Sequence, residues 1–105
     1  KDMVIRGGEN IACIEVEAAI YEHSNVLEAC VFGIPDERLG EVLCTSIYLK
    51  PGSKMNADEL RSFLGDKLAA FKIPLVVEFS DEVLPKIASG KFDKPALRKL
   101  FAKNN

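Results

Sequence analysis

The sequence predicts a small α+β domain in which a sheet is covered by helices. Stretches 26–32 and 42–49 are rich in β-branched residues and have the length of strands. Stretches beginning near residues 14 and 57 place apolar residues three and four positions apart, which is typical of amphipathic helices. The 105 residues, 48% of them hydrophobic, suffice for one core, so residues 1–105 are interpreted as one domain.

The beginning of the chain is expected to form a short strand and a helix. Residues 3–5 are a brief apolar run that leads into a loop at Gly7 and Gly8. A helix should begin near Ile14 and end near His23. Its buried face is predicted to consist of Val16, Ala19 and Ile20.

Two paired strands should follow the first helix. The stretches 26–32 and 42–49 are separated by residues 33–40, whose glycines and proline predict a structured loop. A loop of this length can carry functional side chains.

The second half is expected to contain a helix, a strand and a further helix. Asn56 and Glu59 have the spacing of a capping box and predict a helix start. This helix should run to about Phe71, before Pro74, with a buried face formed by Leu60, Phe63, Leu64, Leu68 and Phe71. Residues 76–79 predict a third strand, and Asp93 predicts the cap of the last helix. The predicted order is βαββαβα, with a three-stranded sheet and a short additional N-terminal strand.

The composition argues against several classes of partner and site. A net charge of −2 gives no basic face for nucleic acid, and no apolar stretch is long enough for a membrane-spanning segment. The cysteines Cys13, Cys30 and Cys44 lack the spacing of a metal site or a disulfide framework. We interpret them as small buried hydrophobic residues, with a reactive thiol as the alternative. A cytoplasmic protein in which residues of this chain form no metal site is therefore expected.

The segment Pro-Lys-Ile-Ala-Ser-Gly-Lys at residues 85–91 invites comparison with the phosphate-binding loop Gly-x-x-x-x-Gly-Lys-Ser/Thr. The comparison fails, because Pro85 replaces the first glycine and Phe92 replaces the hydroxyl residue that would bind magnesium. A loop hinged at Gly90 can still present Lys91 as a mobile charge to an anion. The alternative is an ordinary solvated lysine.

A second motif, Gly-Gly-Glu-Asn at residues 7–10, combines two glycines with two polar side chains. The glycines allow a ligand to approach the backbone closely, and Glu9 and Asn10 can form hydrogen bonds with it. A plain strand-to-helix turn explains the motif equally well. His23 has no serine or cysteine partner in a recognised arrangement, so we interpret it as a surface residue and not as a general base.

Together these segments resemble, in order and spacing, the C-terminal domain of the adenylate-forming superfamily of acyl-CoA synthetases, aryl-CoA ligases, luciferases and peptide-synthetase adenylation domains. Residues 1–11 resemble the hinge and the following loop, residues 33–41 the mid-domain signature, and residues 85–91 the terminal lysine motif. The resemblance covers nearly the whole chain.

The resemblance implies a two-step reaction that uses ATP, coenzyme A and magnesium. A carboxylate first reacts with ATP to give an acyl-adenylate, and coenzyme A then displaces AMP to form a thioester. By similarity, Lys91 serves the first step and the domain rotates about Lys1 between steps. The loop at Gly7 and Gly8 then lies against the pantetheine.

The same resemblance implies a set of coenzyme A-binding residues. Glu9 and Asn10 make the motif resemble the acyl- and aryl-CoA ligases. They therefore favour coenzyme A as the acceptor. Leu39 is expected to line the pantetheine tunnel. Phe71 is expected to stack on the adenine beside Lys72, with packing in the core as the alternative for Phe71.

The expected partners are a large N-terminal domain of the same polypeptide and a small carboxylic acid, either fatty or aromatic. That large domain is expected to hold most of the ATP and magnesium site, so this chain alone should be inactive. Two alternatives remain open: an adenylating domain that loads a carrier-protein thiol, and a noncatalytic interaction module.

Overall fold

The computed structural model describes residues 2–105, so the predicted hinge residue Lys1 lies outside the described residues. The elements, in chain order, are β1 (Met3–Arg6), β2 (Glu9–Ala12), α1 (Cys13–Tyr21), β3 (Val26–Asp36), β4 (Gly40–Leu49), α2 (Ala57–Leu64), a 3-10 turn (Ala70–Lys72), β5 (Val76–Ser80) and α3 (Lys94–Asn104). The α+β class is confirmed. The order is ββαββαβα, because the polar segment after the glycines pairs with β1 as a strand of its own.

The sheet is built around the long antiparallel pair β3 and β4. β5 lies parallel to β4 on its other side, and β3 forms an edge of the sheet. β1 and β2 form a hairpin that meets β4 where Arg6 pairs with Gly40. The hairpin therefore extends the sheet at the beginning of β4.

Each face of the sheet carries its own hydrophobic core, because successive strand residues point to opposite faces. Ala29 and Val31 of β3 pack with α1 and α2 on one face. Cys30 and Phe32 pack with α3 on the other face. Burial on both faces explains why the sequences of β3 and β4 are almost continuously apolar.

The predicted loop over residues 33–40 is wrong in extent, because β3 continues to Asp36 and β4 begins at Gly40. Gly33 belongs to the strand because it pairs with Leu43, and glycine is required there because a Cβ atom would lie 2.6 Å from the Glu41 carboxylate. Pro35 is tolerated because β3 is an edge strand, where a missing N–H breaks no essential hydrogen bond. Two residues of types that usually interrupt strands thus lie inside β3, and the loop comprises only residues 37–39.

The second helix begins as predicted but is shorter. The Glu59 N–H donates to Asn56 Oδ1 at 2.8 Å, and the Asn56 N–H donates to Glu59 Oε1 at 2.8 Å, which confirms the capping box. α2 ends at Leu64, so Leu68 and Phe71 pack against the first core from beyond the α-helix, with Phe71 in the 3-10 turn. The cap of α3 is also confirmed, because the Ala96 N–H donates to Asp93 Oδ1 at 3.1 Å.

The outer edge of β3 is occupied by side chains. The Tyr21 hydroxyl accepts from the Ala29 N–H at 2.9 Å and donates to the Ala29 carbonyl at 3.2 Å. Two residues further, the Val31 N–H donates to Glu17 Oε2 at 2.8 Å. The Gly33 carbonyl accepts from Arg98 Nε at 3.0 Å. These contacts attach α1 and α3 to the same strand.

The three cysteines are free and buried. Burial raises the pKa of Cys30 and of Cys44 to about 12, and burial also raises the pKa of Cys13. A thiol that stays protonated is a poor nucleophile, which fits their interpretation as packing residues. Within residues 2–105, no helix is long and apolar enough to cross a membrane.

Candidate functional site

The first part of the candidate site is the turn of the β1–β2 hairpin. Gly7 and Gly8 have φ angles of 55° and 86° and stand between the paired residues Arg6 and Glu9. A two-residue hairpin turn with positive φ at both positions favours glycine, because other side chains are strained there. The motif therefore forms a hairpin turn and not a strand-to-helix turn, and the positive φ angles alone are a sufficient reason for both glycines.

Leu39 lies against this hairpin turn. The Gly7 N–H donates to the Leu39 carbonyl at 2.9 Å. The Leu39 Cδ2 atom would lie 3.1 Å from a Cβ at Gly7, whereas nothing lies within 4 Å of a Cβ at Gly8. The structure therefore brings Gly7, Gly8 and Leu39 together and leaves the side of the turn at Gly8 open.

Two carboxylates that the sequence analysis did not single out hold this arrangement. Asp36 Oδ2 accepts from the Arg38 N–H at 3.1 Å and from the Leu39 N–H at 2.8 Å. Glu41 Oε1 accepts from the Ile5 N–H at 3.0 Å and so ties β1 to β4. A sequence signal existed for Asp36, because aspartate commonly accepts from backbone N–H groups two and three residues on in a turn. No comparable signal existed for Glu41.

Glu9 and Asn10 lie on β2 directly after the turn, opposite Arg6 and Ile5. Both side chains are exposed, and neither forms a hydrogen bond within residues 2–105. They are therefore available to a ligand that approaches the hairpin.

The second part of the candidate site is the turn that carries Lys91. The Ile87 N–H donates to the Lys91 carbonyl at 2.9 Å, and Gly90 has a φ of 93°. Lys86 and Phe92 form a single β-bridge at the base of the turn. The Lys91 side chain is exposed, and no hydrogen bond or ion pair holds its ammonium within residues 2–105. The backbone is thus fixed while the charge stays available to an external anion.

Glu28 of β3 binds the segment that enters this turn. Its carboxylate accepts from the Leu84 N–H at 2.8 Å and from Lys86 Nζ at 2.6 Å. Burial alone would raise the pKa of the Glu28 carboxyl, but these hydrogen bonds outweigh it and lower the pKa below its ordinary value. Sequence reasoning missed Glu28 because its partners are more than fifty residues away.

Phe71 and Lys72 lie together on the 3-10 turn. Lys72 Nζ is 5.7 Å from the centre of the Phe71 ring and 3.0 Å from both carboxylate oxygens of Glu15. Phe71 packs against the first core while remaining partly exposed. Lys72 therefore already has an acidic partner, with which a phosphate would have to compete.

Asp2, the first described residue, is tied to α3. Lys94 Nζ lies 2.7 Å from Asp2 Oδ2 and 3.9 Å from Glu17 Oε2. The Cys13 N–H donates to the Asp2 carbonyl at 3.0 Å. The residue beside the predicted hinge is thus fixed to the body of the domain.

The predicted residues form separate groups. The hairpin group contains Gly7, Gly8 and Leu39, and within residues 2–105 no hydrogen bond or ion pair connects it to the Lys91 turn. No group of three or more His, Cys, Asp or Glu side chains in the described part of the chain could hold a metal ion.

Comparison with known proteins shows the family of the chain. A family model described as the AMP-binding enzyme C-terminal domain matches residues 15–91. The chain belongs to this family. The match includes Lys91 as its last residue, and it confirms the resemblance that the sequence motifs indicated.

The relatives of the domain are considerably longer proteins. The oxalate–CoA ligase of Saccharomyces cerevisiae is 43% identical over 105 residues, which is 100% of this chain and 19% of that protein. The mitochondrial medium-chain acyl-CoA ligase ACSF2 of Mus musculus is 46% identical over 98 residues, which is 93% of this chain and 16% of that protein. The domain thus spans about a fifth of the length of these relatives or less.

The solved structures share the fold. The structure of apo MatB from Rhodopseudomonas palustris superposes with a TM-score of 0.90 at 34% sequence identity, over 96% of this chain and 20% of that one. The five-stranded arrangement and the hairpin are therefore features of a fold known from experiment.

Proposed function

We propose that the chain is the mobile C-terminal domain of an ATP- and coenzyme A-dependent carboxylic acid ligase. Its partner is a large N-terminal domain of the same polypeptide, and its substrate is a fatty or aromatic acid. The observation that carries the proposal is the Lys91 turn, which presents an exposed ammonium on an ordered backbone. The names of the relatives, which are CoA ligases, support the reaction class.

In the first step, a carboxylate oxygen of the acid attacks the α-phosphorus of ATP, and the bond to the departing pyrophosphate breaks. Negative charge from both reactants meets at this centre. The Lys91 ammonium donates hydrogen bonds to the carboxylate and phosphate oxygens and offsets their repulsion. Loss of one such preorganised donor typically raises a barrier by about 2.7–4 kcal/mol.

In the second step, the thiolate of coenzyme A attacks the acyl carbonyl carbon and AMP departs. The domain turns about Lys1, so that Lys91 withdraws and the hairpin turn faces the pantetheine. Gly8 leaves room beside the backbone, because no Cβ projects there and nothing lies within 4 Å of the position that a Cβ would take. Leu39 supplies an apolar contact, and Glu9 and Asn10 offer polar atoms at the rim.

Phe71 and Lys72 are proposed to contact the adenine and phosphate end of coenzyme A. Phe71 is partly exposed, which leaves ring surface for stacking. Lys72 is held beside that ring by Glu15.

Magnesium supplies charge neutralisation for ATP when bound. No metal-binding cluster occurs among residues 2–105, so its ligands are assigned to the large domain.

The test uses the full-length enzyme and separates the two half-reactions. Lys91→Ala should reduce ATP–pyrophosphate exchange by about 10²–10³-fold, the usual loss for one preorganised donor. Thioester formation from preformed acyl-adenylate should remain near the wild-type rate. Lys99→Ala, which removes an exposed lysine of α3, is the matched control and should change neither rate. Wild-type exchange by Lys91→Ala would refute the proposal.

A further inference from the structure

The position of Lys91 depends on how its turn is attached to the rest of the domain. The turn consists of residues 87–91, with Gly90 at a positive φ of 93°. Its two legs are connected by the bridge between Lys86 and Phe92 and by the hydrogen bond from the Asp93 N–H to the Pro85 carbonyl, at 2.9 Å. Whatever fixes these legs therefore fixes the backbone from which Lys91 projects.

Both legs are attached to β3. The outgoing leg continues into α3, where Arg98 Nε donates to the Gly33 carbonyl at 3.0 Å. The incoming leg is attached by the Glu28 carboxylate, which uses one oxygen for the Leu84 N–H and the other for Lys86 Nζ. A single side chain thus fixes the backbone and the side chain of the incoming leg.

Glu28 holds the incoming leg through short and partly buried contacts. The Glu28 side chain is 17% exposed, and its separation from Lys86 Nζ is 2.6 Å, the shortest ion-pair distance among residues 2–105. The Lys86 ammonium also donates to the Leu84 carbonyl at 3.1 Å and lies 5.3 Å from the centre of the Phe92 ring. Lys86 therefore contacts β3 through Glu28 and the outgoing leg through the Phe92 ring.

We propose that Glu28 is a positioning residue for Lys91 in the adenylation step. This inference rests on the proposed function of Lys91. Glu28 touches no substrate, and its effect is to hold the Lys91 turn at a fixed place on β3. A displacement of about 1 Å in a positioned group can lower a rate about 100-fold, so loss of this attachment should affect the chemistry.

The experiment measures both half-reactions in the full-length enzyme with Glu28→Ala. The kcat of adenylation should fall on the order of 10- to 100-fold. The KM for the acid should change little, because a group that acts in the transition state affects kcat. Thioester formation from preformed acyl-adenylate should stay within about twofold of wild type, since Lys91 is withdrawn in that step. Hydrogen exchange of the amides of Ile87 and Gly90 should become faster.

Two further variants make the result specific. Glu28→Gln keeps an oxygen that can accept from the Leu84 N–H but loses the charge that pairs with Lys86, so it should give an intermediate adenylation rate. Glu22→Ala breaks another ion pair, with Lys67 at 2.8 Å, and should leave both half-reactions unchanged. If Glu28→Ala does not fold, Glu28→Gln is judged by the same two rates.

The possible outcomes separate this inference from the proposed function. Unchanged adenylation in a Glu28 variant, with Lys91→Ala impaired, would overturn the positioning role alone. Equal losses in both half-reactions would also overturn it, because they indicate a general loss of structure. Unchanged adenylation in Lys91→Ala would overturn the proposed function itself.

Discussion

The open side of the hairpin turn can be tested with a pair of matched glycine substitutions. Gly8 and Gly52 have φ angles of 86° and 80°, and neither has an atom within 4 Å of an added Cβ. An added Cβ at either position therefore meets no neighbour, and the expected cost of a substitution is backbone strain. That strain is about 1–2 kcal/mol for a residue in the left-handed region. Gly8→Leu and Gly52→Leu should destabilise the domain to the same extent.

The two substitutions should differ in function. Gly8→Leu places four side-chain carbons on the surface that is proposed to face the pantetheine, whereas Gly52 lies in the turn that follows β4. In the full-length enzyme, Gly8→Leu should strongly slow thioester formation from preformed acyl-adenylate and leave adenylation nearly unchanged. Gly52→Leu should leave both rates nearly unchanged.

The assay combines urea unfolding of the 105-residue chain with single-turnover measurement of each half-reaction. A Gly8→Leu variant that loses about 1–2 kcal/mol of unfolding free energy and is slowed only in thioester formation supports the proposed role of the turn. Equally slow thioester formation in Gly52→Leu would refute the reasoning, because strain alone would then explain the loss. An unaffected second rate in Gly8→Leu would refute it as well.

Three further predictions concern stability and pH. Asn56→Ala removes one half of the capping box and should lower the free energy of unfolding by about 1 kcal/mol, measured by urea titration. Leu64→Ala leaves a cavity in the first core and should cost about 2–5 kcal/mol in the same assay, so a loss equal to that of Asn56→Ala would contradict the described packing. The carboxyls of Glu28 and Glu17 should give opposite pH dependence. The pKa of Glu28 is lowered, so its contribution to the free energy of unfolding is present above the ordinary glutamate pKa and is lost as the pH falls through the folded pKa. Burial raises the pKa of Glu17, so its contribution to the free energy of unfolding is present below the ordinary glutamate pKa and is lost as the pH rises through the folded pKa. Urea titrations between pH 3 and pH 6 measure how the free energy of unfolding depends on pH. Glu28→Gln and Glu17→Gln should each remove the dependence that belongs to its carboxyl, and dependences of the same sign would contradict the assignment.

Local signals in the sequence predicted the beginnings of elements well. The capping residues Asn56 and Asp93 accept the backbone hydrogen bonds expected of them. The buried face of α1 was also predicted, because helical periodicity follows from the chain alone. These features depend on residues at most a few positions apart.

Features that depend on distant contacts were not predicted. The strand character of Gly33 and Pro35 depends on pairing with β4 and on the edge position of β3. The end of α2 at Leu64 was missed because apolar residues beyond it pack against the same core without belonging to the α-helix. The role of Glu28 depends on Leu84 and Lys86, which sequence spacing cannot connect to it.

Individual candidate residues of the site were predicted from the sequence. The contacts between them were not. The motifs identified Lys91 and the Gly7–Gly8 pair, whose assigned roles remain predictions. Spacing gave no indication that Leu39 packs against Gly7, or that Lys72 is already paired with Glu15. These contacts join segments that are tens of residues apart, and only the folded sheet brings them together.

The occupied outer edge of β3 has a consequence for association between copies of the protein. An exposed strand edge is a template on which a second chain can add a strand, and this is a common origin of aggregation. At this edge Tyr21 occupies both backbone groups of Ala29, Glu17 occupies the Val31 N–H and Arg98 occupies the Gly33 carbonyl, so an incoming strand would have to displace three side chains. In the proposed mechanism the domain separates from its neighbour and rotates, and these contacts oppose strand addition along β3 while it does so.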